Sequence, residues 1–407
     1  MNRSVQRALS GLIIGLGLLT SLGYALAIAL ASNRTDAADQ WGTFAGFGLF
    51  AAVAGAFWLL STFRGPDAEP ATTRLPPVWL SFVAFILLVA AGFGLDYAGR
   101  AVFVGPLLAI LAFVAVGAFF AGIAVSWMPA KRLQLRSFVL PGVWGAFIAP
   151  VILILVQGGA VMVIFASIFA GIYAGEPDLV IDPDLGERIS SYVEESGTEA
   201  TTTSLPDIVE APTVALSLFS VVAVIAPISE ELVKAAGAVI LLSRRSVVTR
   251  TDAFLAAVGS GLGFALFEGV GYTLAATSSW HQLILFRAPV VIMHVAATTI
   301  VVLGWYRWRE TGRGFIPYFL AGTALHAGWN GLYVGFIYSL TGIESGSDPS
   351  GTQALGIAAM VLLLGALFIA AVVWYVSAAH KAGRNEAGLQ HAQLATDHMQ
   401  SPSNAIP

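Results

Sequence analysis

The sequence contains no cysteine, and only 11% of its 407 residues are charged. The lack of cysteine excludes disulfide bonds and metal sites built on thiolates. The scarcity of charge excludes an ordinary soluble protein, because a soluble chain of this size exposes far more charged side chains. The formal net charge of −4 is small, and we expect no nucleic-acid partner.

What the sequence does contain is apolar residues, which make up 57% of the chain. They recur in stretches of about 20 residues, the length that a helix needs to cross a bilayer core. Backbone groups in lipid must bond to one another, so the spans are helices and the predicted fold is an all-α polytopic bundle. Ten spans are predicted: Leu9–Ala31, Trp41–Phe63, Val78–Leu95, Ala101–Trp127, Phe138–Tyr173, Val214–Leu242, Ala253–Leu274, Leu283–Trp305, Phe315–Leu340 and Ala354–Val376.

Basic residues flank these spans unevenly. With ten spans, nearly all of them fall on one side, and the other side holds only Arg34, Arg100 and Arg188. The positive-inside rule then predicts that both termini are cytoplasmic. Five regions follow: an N-terminal five-span region of unknown role (1–173), an acidic extracytoplasmic loop (174–212), a membrane core (213–341), a final span (342–378) and a disordered cytoplasmic tail (379–407).

Ionisable residues inside the spans occur in the second half of the chain. Each costs about 2.5–3.5 kcal/mol at mid-bilayer on insertion scales, so several together indicate function. Four of them lie at roughly the same depth, 20–25 Å from the charged residues that flank their helices, and we expect them to face one another. These four are Glu230, Glu268, His294 and His326. Arg287, nearer a helix end, is expected to extend towards the headgroups. The candidate site residues are Glu230, Glu231, Glu268, His294, His326 and Asn330.

Two imidazoles and a carboxylate at one depth are a ligand set for a divalent metal such as zinc, with a fourth position for water. The sequence therefore predicts that Glu268, His294 and His326 bind zinc and that Glu230 is the general base. Glu231 would pair with Lys234, although Glu230 and Lys234 are also on one helix face. Asn330 would donate to the oxyanion. Without metal, a glutamate of raised pKa would activate water directly. Either mechanism hydrolyses a peptide bond within the membrane.

Four motifs that contain these residues resemble those of the PrsW-type intramembrane proteases, which are related to the Abi group with its type II CAAX prenyl endopeptidases. They are EELVK at 230–234, FALFEGVGY at 264–272, RAPVVIMHVAATT around His294, and HAGWN at 326–330. The basic residue of the first motif is a lysine, and the second motif ends in Glu268 where the prenyl endopeptidases have histidine. Both departures are towards the PrsW pattern.

The resemblance implies an endopeptidase that cleaves a membrane-anchored protein, such as an anti-sigma factor, in a bacterial plasma membrane. Its partners would be a membrane-protein or peptide substrate and the lipid bilayer. Two other classes of function remain open from the residues themselves. A proton- or cation-coupled transporter uses the same residue types, and a non-catalytic scaffold or immunity protein would use the polar set only to hold the bundle together.

Overall fold

The computed structural model describes residues 3–30, 48, 51–52, 55–56, 59, 72–97, 101–129, 133–175, 219–275, 280–340 and 350–400. Helices account for almost all of these residues, as apolar segments in lipid require. The α-helices are α1 (Arg3–Leu30), α2 (Val78–Tyr97), α3 (Ala101–Ser126), α4 (Leu135–Val143), α5 (Ala149–Gly175), α6 (Ala226–Ser243), α7 (Arg250–Ala275), α8 (Trp280–Thr311), α9 (Phe315–Leu340) and α10 (Gly351–Gln400). Two two-residue strands, β1 (Thr72–Thr73) and β2 (Leu133–Gln134), pair antiparallel.

Two short π-helices interrupt the α-helical pattern, and both end at an Ala-Pro pair. The first, π1, covers Trp144–Ile148 and leads to Pro150, while the second, π2, covers Val221–Ile225 and leads to Pro227. In each, the alanine before the proline donates its N–H to the carbonyl five residues earlier. The proline that follows has no N–H with which to continue that pattern. The fifth predicted span is therefore irregular at π1, between Pro141 and Pro150.

Six helices are long and apolar enough to cross a membrane, within the ranges that the structure describes. Their apolar segments are Val78–Leu95, Leu108–Ser126, Ser137–Val163, Arg250–Tyr272, His281–Thr311 and Gly351–Leu389. Each coincides with one of the ten predicted spans. Most of the predicted second span and the acidic loop lie outside the described residues. The total of ten spans and the cytoplasmic termini therefore stay predictions.

The chain divides into two compact units. Unit 1 comprises Met1–Pro150, Glu231–Gly322 and Phe368–Pro407, and unit 2 comprises Val151–Glu230 and Thr323–Leu367. The predicted membrane core at 213–341 is thus distributed over both units, and so are the candidate site residues.

Unit 1 is built around helix α7, which packs against α8, α4 and π1. Glycine allows the closest of these approaches. A Cβ atom on Gly263 would lie 2.1 Å from the carbonyl oxygen of Gly142, and one on Gly259 would lie 2.2 Å from that of Phe138. Such contacts bring two helix backbones together, which is the usual role of small residues in membrane bundles. The glycine-rich sequence of α7 is therefore a packing surface.

Unit 2 contains π2, the beginning of α6, and parts of α5, α9 and α10. Glycines of α9 again lie at the contacts: Gly331 faces Phe219 and Ala223, and Gly335 faces Met360. These contacts are looser than those of unit 1, because a Cβ atom at Gly331 would meet its nearest neighbour at 3.5 Å. The packing places π2 and the first turn of α6 beside α9.

The predicted disordered tail from residue 379 is wrong up to Gln400, because helix α10 continues to that residue. Its sequence contains alanine, glutamine and leucine, which favour helix, and no proline before Pro402. Ala379 and Ala382 are fully buried, and Thr251 donates a hydrogen bond to the carbonyl oxygen of Ala382. Packing against unit 1 thus holds a segment whose polar composition had suggested disorder.

Candidate functional site

Lys234 is the centre of a fully buried group of charges in unit 1. Its Nζ lies 2.6 Å from Glu231 Oε1, one helical turn earlier in α6, and both side chains have no exposed area. The same Nζ lies 3.0 Å from His294 Nδ1 and 4.6 Å from the centre of the Phe264 ring. The predicted pairing of Glu231 with Lys234 is confirmed. Burying a charged group costs much free energy unless it has such partners.

His294 has a hydrogen-bond partner at each ring nitrogen. Its Nε2 lies 2.5 Å from Glu268 Oε2, and its Nδ1 faces Lys234. An ammonium group can only donate, so Nδ1 accepts and the ring proton lies on Nε2, from which Glu268 accepts it. The network therefore holds a neutral imidazole in one tautomer.

Glu268 is bound by two groups at one oxygen atom. Arg287 Nη2 lies 2.8 Å from Glu268 Oε2, and the Arg287 guanidinium lies 4.0 Å from the centre of the Tyr272 ring. Arg287 is only 8% exposed, so the expectation that it extends towards the headgroups is wrong. It lies two turns before His294 on the same face of α8, and this spacing was the signal that could have identified it.

The other oxygen of Glu231 has its own donor. Thr298 Oγ1 donates a hydrogen bond of 2.9 Å to Glu231 Oε2, and Thr298 lies one turn after His294 in α8. Ser260 of α7 donates to the backbone carbonyl of Lys234 at 2.8 Å. Both carboxylate oxygens of Glu231 are thus bound, one by Lys234 and one by Thr298, in the interior of unit 1. This environment is that of a structural ion pair and not that of a group that a substrate reaches.

Glu230 and His326 face each other in unit 2. Glu230 Oε2 lies 3.7 Å from His326 Nε2, and the two residues are 8% and 1% exposed. This separation is too long for a hydrogen bond. Gln157 of α5 approaches from another side, with Nε2 at 3.3 Å from Glu230 Oε1 and at 3.3 Å from Ser229 Oγ. A carboxylate and an imidazole, both buried, therefore form a pair at the start of α6.

Asn330, one turn after His326, contacts the backbone of π2. Its Nδ2 donates a hydrogen bond of 3.0 Å to the carbonyl oxygen of Val222. Pro227 lies five residues after Val222, where the π-helical pattern would require an N–H, and proline has none. The asparagine thus supplies a donor that the proline cannot.

The resemblance implies a divalent metal, and the donor chemistry allows a test of where one would fit. Two ligands of a tetrahedral zinc ion lie about 3.4 Å apart, given bond lengths of about 2.0–2.2 Å. The distance of 3.7 Å between Glu230 Oε2 and His326 Nε2 is close to that value. Glu268 and His294 are instead hydrogen-bonded to each other at 2.5 Å, which is too short for two ligands of one ion.

His294 fits a metal site in one respect and not in another. A carboxylate that accepts from one ring nitrogen, as Glu268 does, is the usual support of a metal-binding histidine. The remaining nitrogen, Nδ1, would be the ligand atom, and it accepts from Lys234. His294 can therefore bind metal through Nδ1 only when the Lys234 ammonium has moved away from that atom.

Several residues that contact the predicted ones were not identified from the sequence. Gln157 gave a weak signal as a single amide in an apolar run, and Thr298 gave one by its helical spacing from His294. Trp144, whose indole Nε1 donates to the carbonyl oxygen of Val233 at 2.8 Å, gave none. These residues are neutral hydrogen-bond donors, so a search for charged residues does not find them. Like charged groups, they cost free energy in lipid when they lack a hydrogen-bond partner.

Comparison with known proteins gives one match. Residues 198–365 match the family model described as PrsW family intramembrane metalloprotease. No curated protein and no solved structure matches the chain. The matched segment contains all four motifs of the sequence analysis, whereas the first five predicted spans lie before it. A relation to the Abi and CAAX group is not part of this match.

The match and the apolar helices lead to the same class of protein. The six helices of the described ranges that are able to cross a bilayer support an integral membrane protein, and the matched family supports a peptidase that acts within the membrane. The family description also implies a divalent metal. Residues 198–365 of this membrane protein therefore carry the sequence features of a PrsW family intramembrane metalloprotease.

Proposed function

We propose that this protein is an endopeptidase that hydrolyses a peptide bond of a membrane-anchored protein, with Glu230 and His326 as its central catalytic pair. The single observation that supports this most is the buried carboxylate–imidazole pair at 3.7 Å. A general base and a proton carrier are the groups that amide hydrolysis requires. The proposed substrate class, a single-span protein such as an anti-sigma factor, rests on the family resemblance alone.

The proposed roles of the remaining residues follow from their contacts. In the mechanism without metal, Glu230 would accept a proton from the attacking water and return it to the leaving amine, while His326 would stabilise the charge that develops beside it. The Nδ2 atom of Asn330 carries a second hydrogen, which we propose donates to the oxyanion. We assign Glu231 and Glu268 to positioning, because Lys234 and Arg287 already bind them.

For the metal, we propose that Glu230 and His326 are two of its ligands. The separation of 3.7 Å between Glu230 Oε2 and His326 Nε2 is close to that of a ligand pair. When bound, a divalent ion would polarise the scissile carbonyl group and make hydroxide available at neutral pH. This assignment keeps His326 from the zinc set expected from the sequence and uses Glu230 in place of Glu268, because Glu268 is bound to Arg287 and His294. Glutamate-activated water remains the alternative mechanism.

Substitution of the pair tests the proposal. Purified protein in liposomes with a single-span test substrate should cleave it, and Glu230→Gln or His326→Ala should lower the rate by at least about a hundredfold, since each removes a proton-transfer group. Glu310→Gln and His380→Ala are matched controls, because both residues are exposed and lie outside the motifs. Cleavage by both site variants at the wild-type rate would contradict the assignment.

Metal removal is the second arm of the same experiment. Prolonged treatment with a membrane-permeant chelator should abolish cleavage, and added zinc should restore it, because the protein ligands lose the ion that they hold. Metal analysis should find about one ion per wild-type chain and less in His326→Ala. If chelated protein without detectable metal retains full activity, the metal assignment fails and the glutamate-activated mechanism is the better account.

A further inference from the structure

Gln157 is a polar residue in the midst of an apolar helix. It follows the sequence VILILV in α5, whose residues Ile154 and Leu155 are 65% and 73% exposed, as expected of a surface in contact with lipid. An amide side chain costs free energy in hydrocarbon unless its polar atoms are hydrogen-bonded. Gln157 is partly buried and directs its Nε2 towards Ser229 and Glu230 of α6. Its position is thus explained by these two contacts.

The direction of each hydrogen bond can be deduced. Ser229 Oγ donates to the carbonyl oxygens of Ile225 and Ala226, at 2.9 and 3.0 Å. Its lone pairs therefore accept from Gln157. An ionised Glu230 can only accept, so it also receives a hydrogen from Gln157. Both hydrogens of one amide nitrogen are used, one for each neighbouring residue at the start of the first motif.

This arrangement orients the Glu230 carboxylate. Oε1 is held by Gln157 at 3.3 Å, and Oε2 is the oxygen that faces His326 Nε2 at 3.7 Å. A lysine or arginine in place of Gln157 would form an ion pair and neutralise Glu230, as Lys234 does for Glu231. A neutral amide instead restricts rotation of the carboxylate while leaving its negative charge available. The contact therefore suits a group that must accept a proton or a cation.

We infer that Gln157 is a positioning residue for Glu230, supplied by the fifth span, which lies outside the segment that matches the protease family. The inference rests on the proposed function, because it assigns Gln157 to the same catalytic pair. It also gives the N-terminal region, whose role the sequence left unknown, a part in the site. Trp144 of the same span supports the first motif from unit 1, through its hydrogen bond to Val233.

Steady-state kinetics test the positioning role. Gln157→Leu keeps a similar volume and removes the donor, and we expect kcat to fall roughly ten- to a hundredfold, the effect of one hydrogen bond to a charged group. KM should not change, and the free energy of unfolding should fall by much less than the loss of kcat expressed as a free energy. Gln157→Glu should lower kcat at least as far, because a second carboxylate would repel Glu230. Leu155→Ala, on the exposed face of the same helix, is the control and should retain wild-type kcat.

Two kinetic outcomes overturn the inference. One is wild-type kcat in Gln157→Leu. The other is a fall in kcat that, expressed as a free energy, is matched by the fall in the free energy of unfolding. That result would indicate a purely structural contact. If the wild-type protein itself cleaves no substrate, the proposed function fails, and a separate measurement then decides whether Gln157 lies against Glu230.

That separate measurement is thiol cross-linking, for which the chain is suited because it contains no cysteine. The double variant Gln157→Cys/Glu230→Cys, reconstituted in liposomes and treated with a short bifunctional thiol reagent, should form an intramolecular cross-link. Leu155→Cys/Glu230→Cys should form at least severalfold less, because Leu155 points about 160° away around the helix. Equal cross-linking of the two variants overturns the inference whether or not the protein is a protease.

Discussion

At the scale of single residues, Lys234 shows how a charge is kept inside this protein. The side chain has no exposed area and contacts a carboxylate, an imidazole nitrogen and an aromatic ring. Removing one partner of a buried ion pair leaves the other charge uncompensated, which costs more than the pair itself contributes. The role of Lys234 can therefore be measured by comparing the loss of one charge with the loss of both.

We expect Lys234→Met to lower the free energy of unfolding by about 3–5 kcal/mol, because Glu231 is then buried without its counter-charge. The double variant Glu231→Gln/Lys234→Met should recover most of that loss, because the remaining amide is neutral. Reversible denaturation in mixed detergent micelles measures both values. If the double variant is as unstable as the single one, the ion pair is not what makes Lys234 necessary.

At the scale of elements, the close contact of α7 with α4 depends on the absence of side chains. A Cβ atom on Gly263 would lie 2.1 Å from an oxygen and 3.0 Å from a nitrogen of the opposing backbone. Backbone atoms cannot rotate away, so the two helices must separate to accept a methyl group. Gly271 lies on the same helix with no atom within 4 Å of its Cβ position, and it provides a matched control.

Gly263→Ala should therefore lower the free energy of unfolding by about 1–3 kcal/mol, the usual cost of overpacking. Gly271→Ala should leave it unchanged or raise it by up to about 1 kcal/mol, because alanine favours helix over glycine. Thermal unfolding of the two variants, measured side by side in the same detergent, provides the comparison. Equal effects of the two substitutions would show that the glycines of α7 do not serve close packing.

The segment π2 offers a second prediction at this scale. Asn330 donates to Val222, whose carbonyl lacks a donor at Pro227 in the π-helical pattern. Pro227→Ala restores an N–H at that position, so a double-mutant cycle should show coupling between Asn330 and Pro227. We expect Asn330→Leu to destabilise the wild type by about 1–3 kcal/mol and the Pro227→Ala background by less. Additive effects within experimental error would contradict the idea that the asparagine compensates for the proline.

At the scale of the whole molecule, the segment that matches the protease family is not self-sufficient in its packing. Helix α7 lies within the match, but α4 and π1, which cover its glycine surface, precede residue 198. The first motif likewise depends on earlier residues, since Trp144 binds the backbone of Val233 and Gln157 binds the carboxylate of Glu230. The N-terminal region is therefore part of the structural environment of the motifs.

We expect a fragment of residues 198–407 to aggregate in detergent, because its uncovered glycine surface and carbonyl groups have no partners. Co-expression of residues 1–197 as a separate chain should restore a monodisperse complex, as judged by size-exclusion chromatography and protease resistance. The intact chain is the control. A fragment that is monodisperse by itself, with the protease resistance of the intact protein, would show that the N-terminal region is dispensable for the fold.

The sequence by itself determined that the protein is helical and membrane-embedded and which motifs carry its polar residues. Charge in hydrocarbon is so costly that Glu230, Glu268, His294 and His326 were conspicuous without any coordinates. Helical spacing placed both Glu230 and Glu231 within reach of Lys234, and the predicted pairing of Lys234 with Glu231 is the one that the structure shows. The helix at 379–400 was missed, since composition alone does not reveal that Ala379 and Ala382 have a surface to pack against.

Only the tertiary structure decided which polar groups are partners of one another. The sequence indicated that Glu268 and His294 lie at the same depth in the membrane. It is the orientation of α7 and α8 about their axes that makes them hydrogen-bond partners and brings Arg287 to the same carboxylate. Gln157 and Asn330 contact residues about 70 and 108 positions away in the sequence, and local patterns contain no information on such distances. The helix axes, their rotations and the side-chain rotamers set these contacts, and they are properties of the packed bundle.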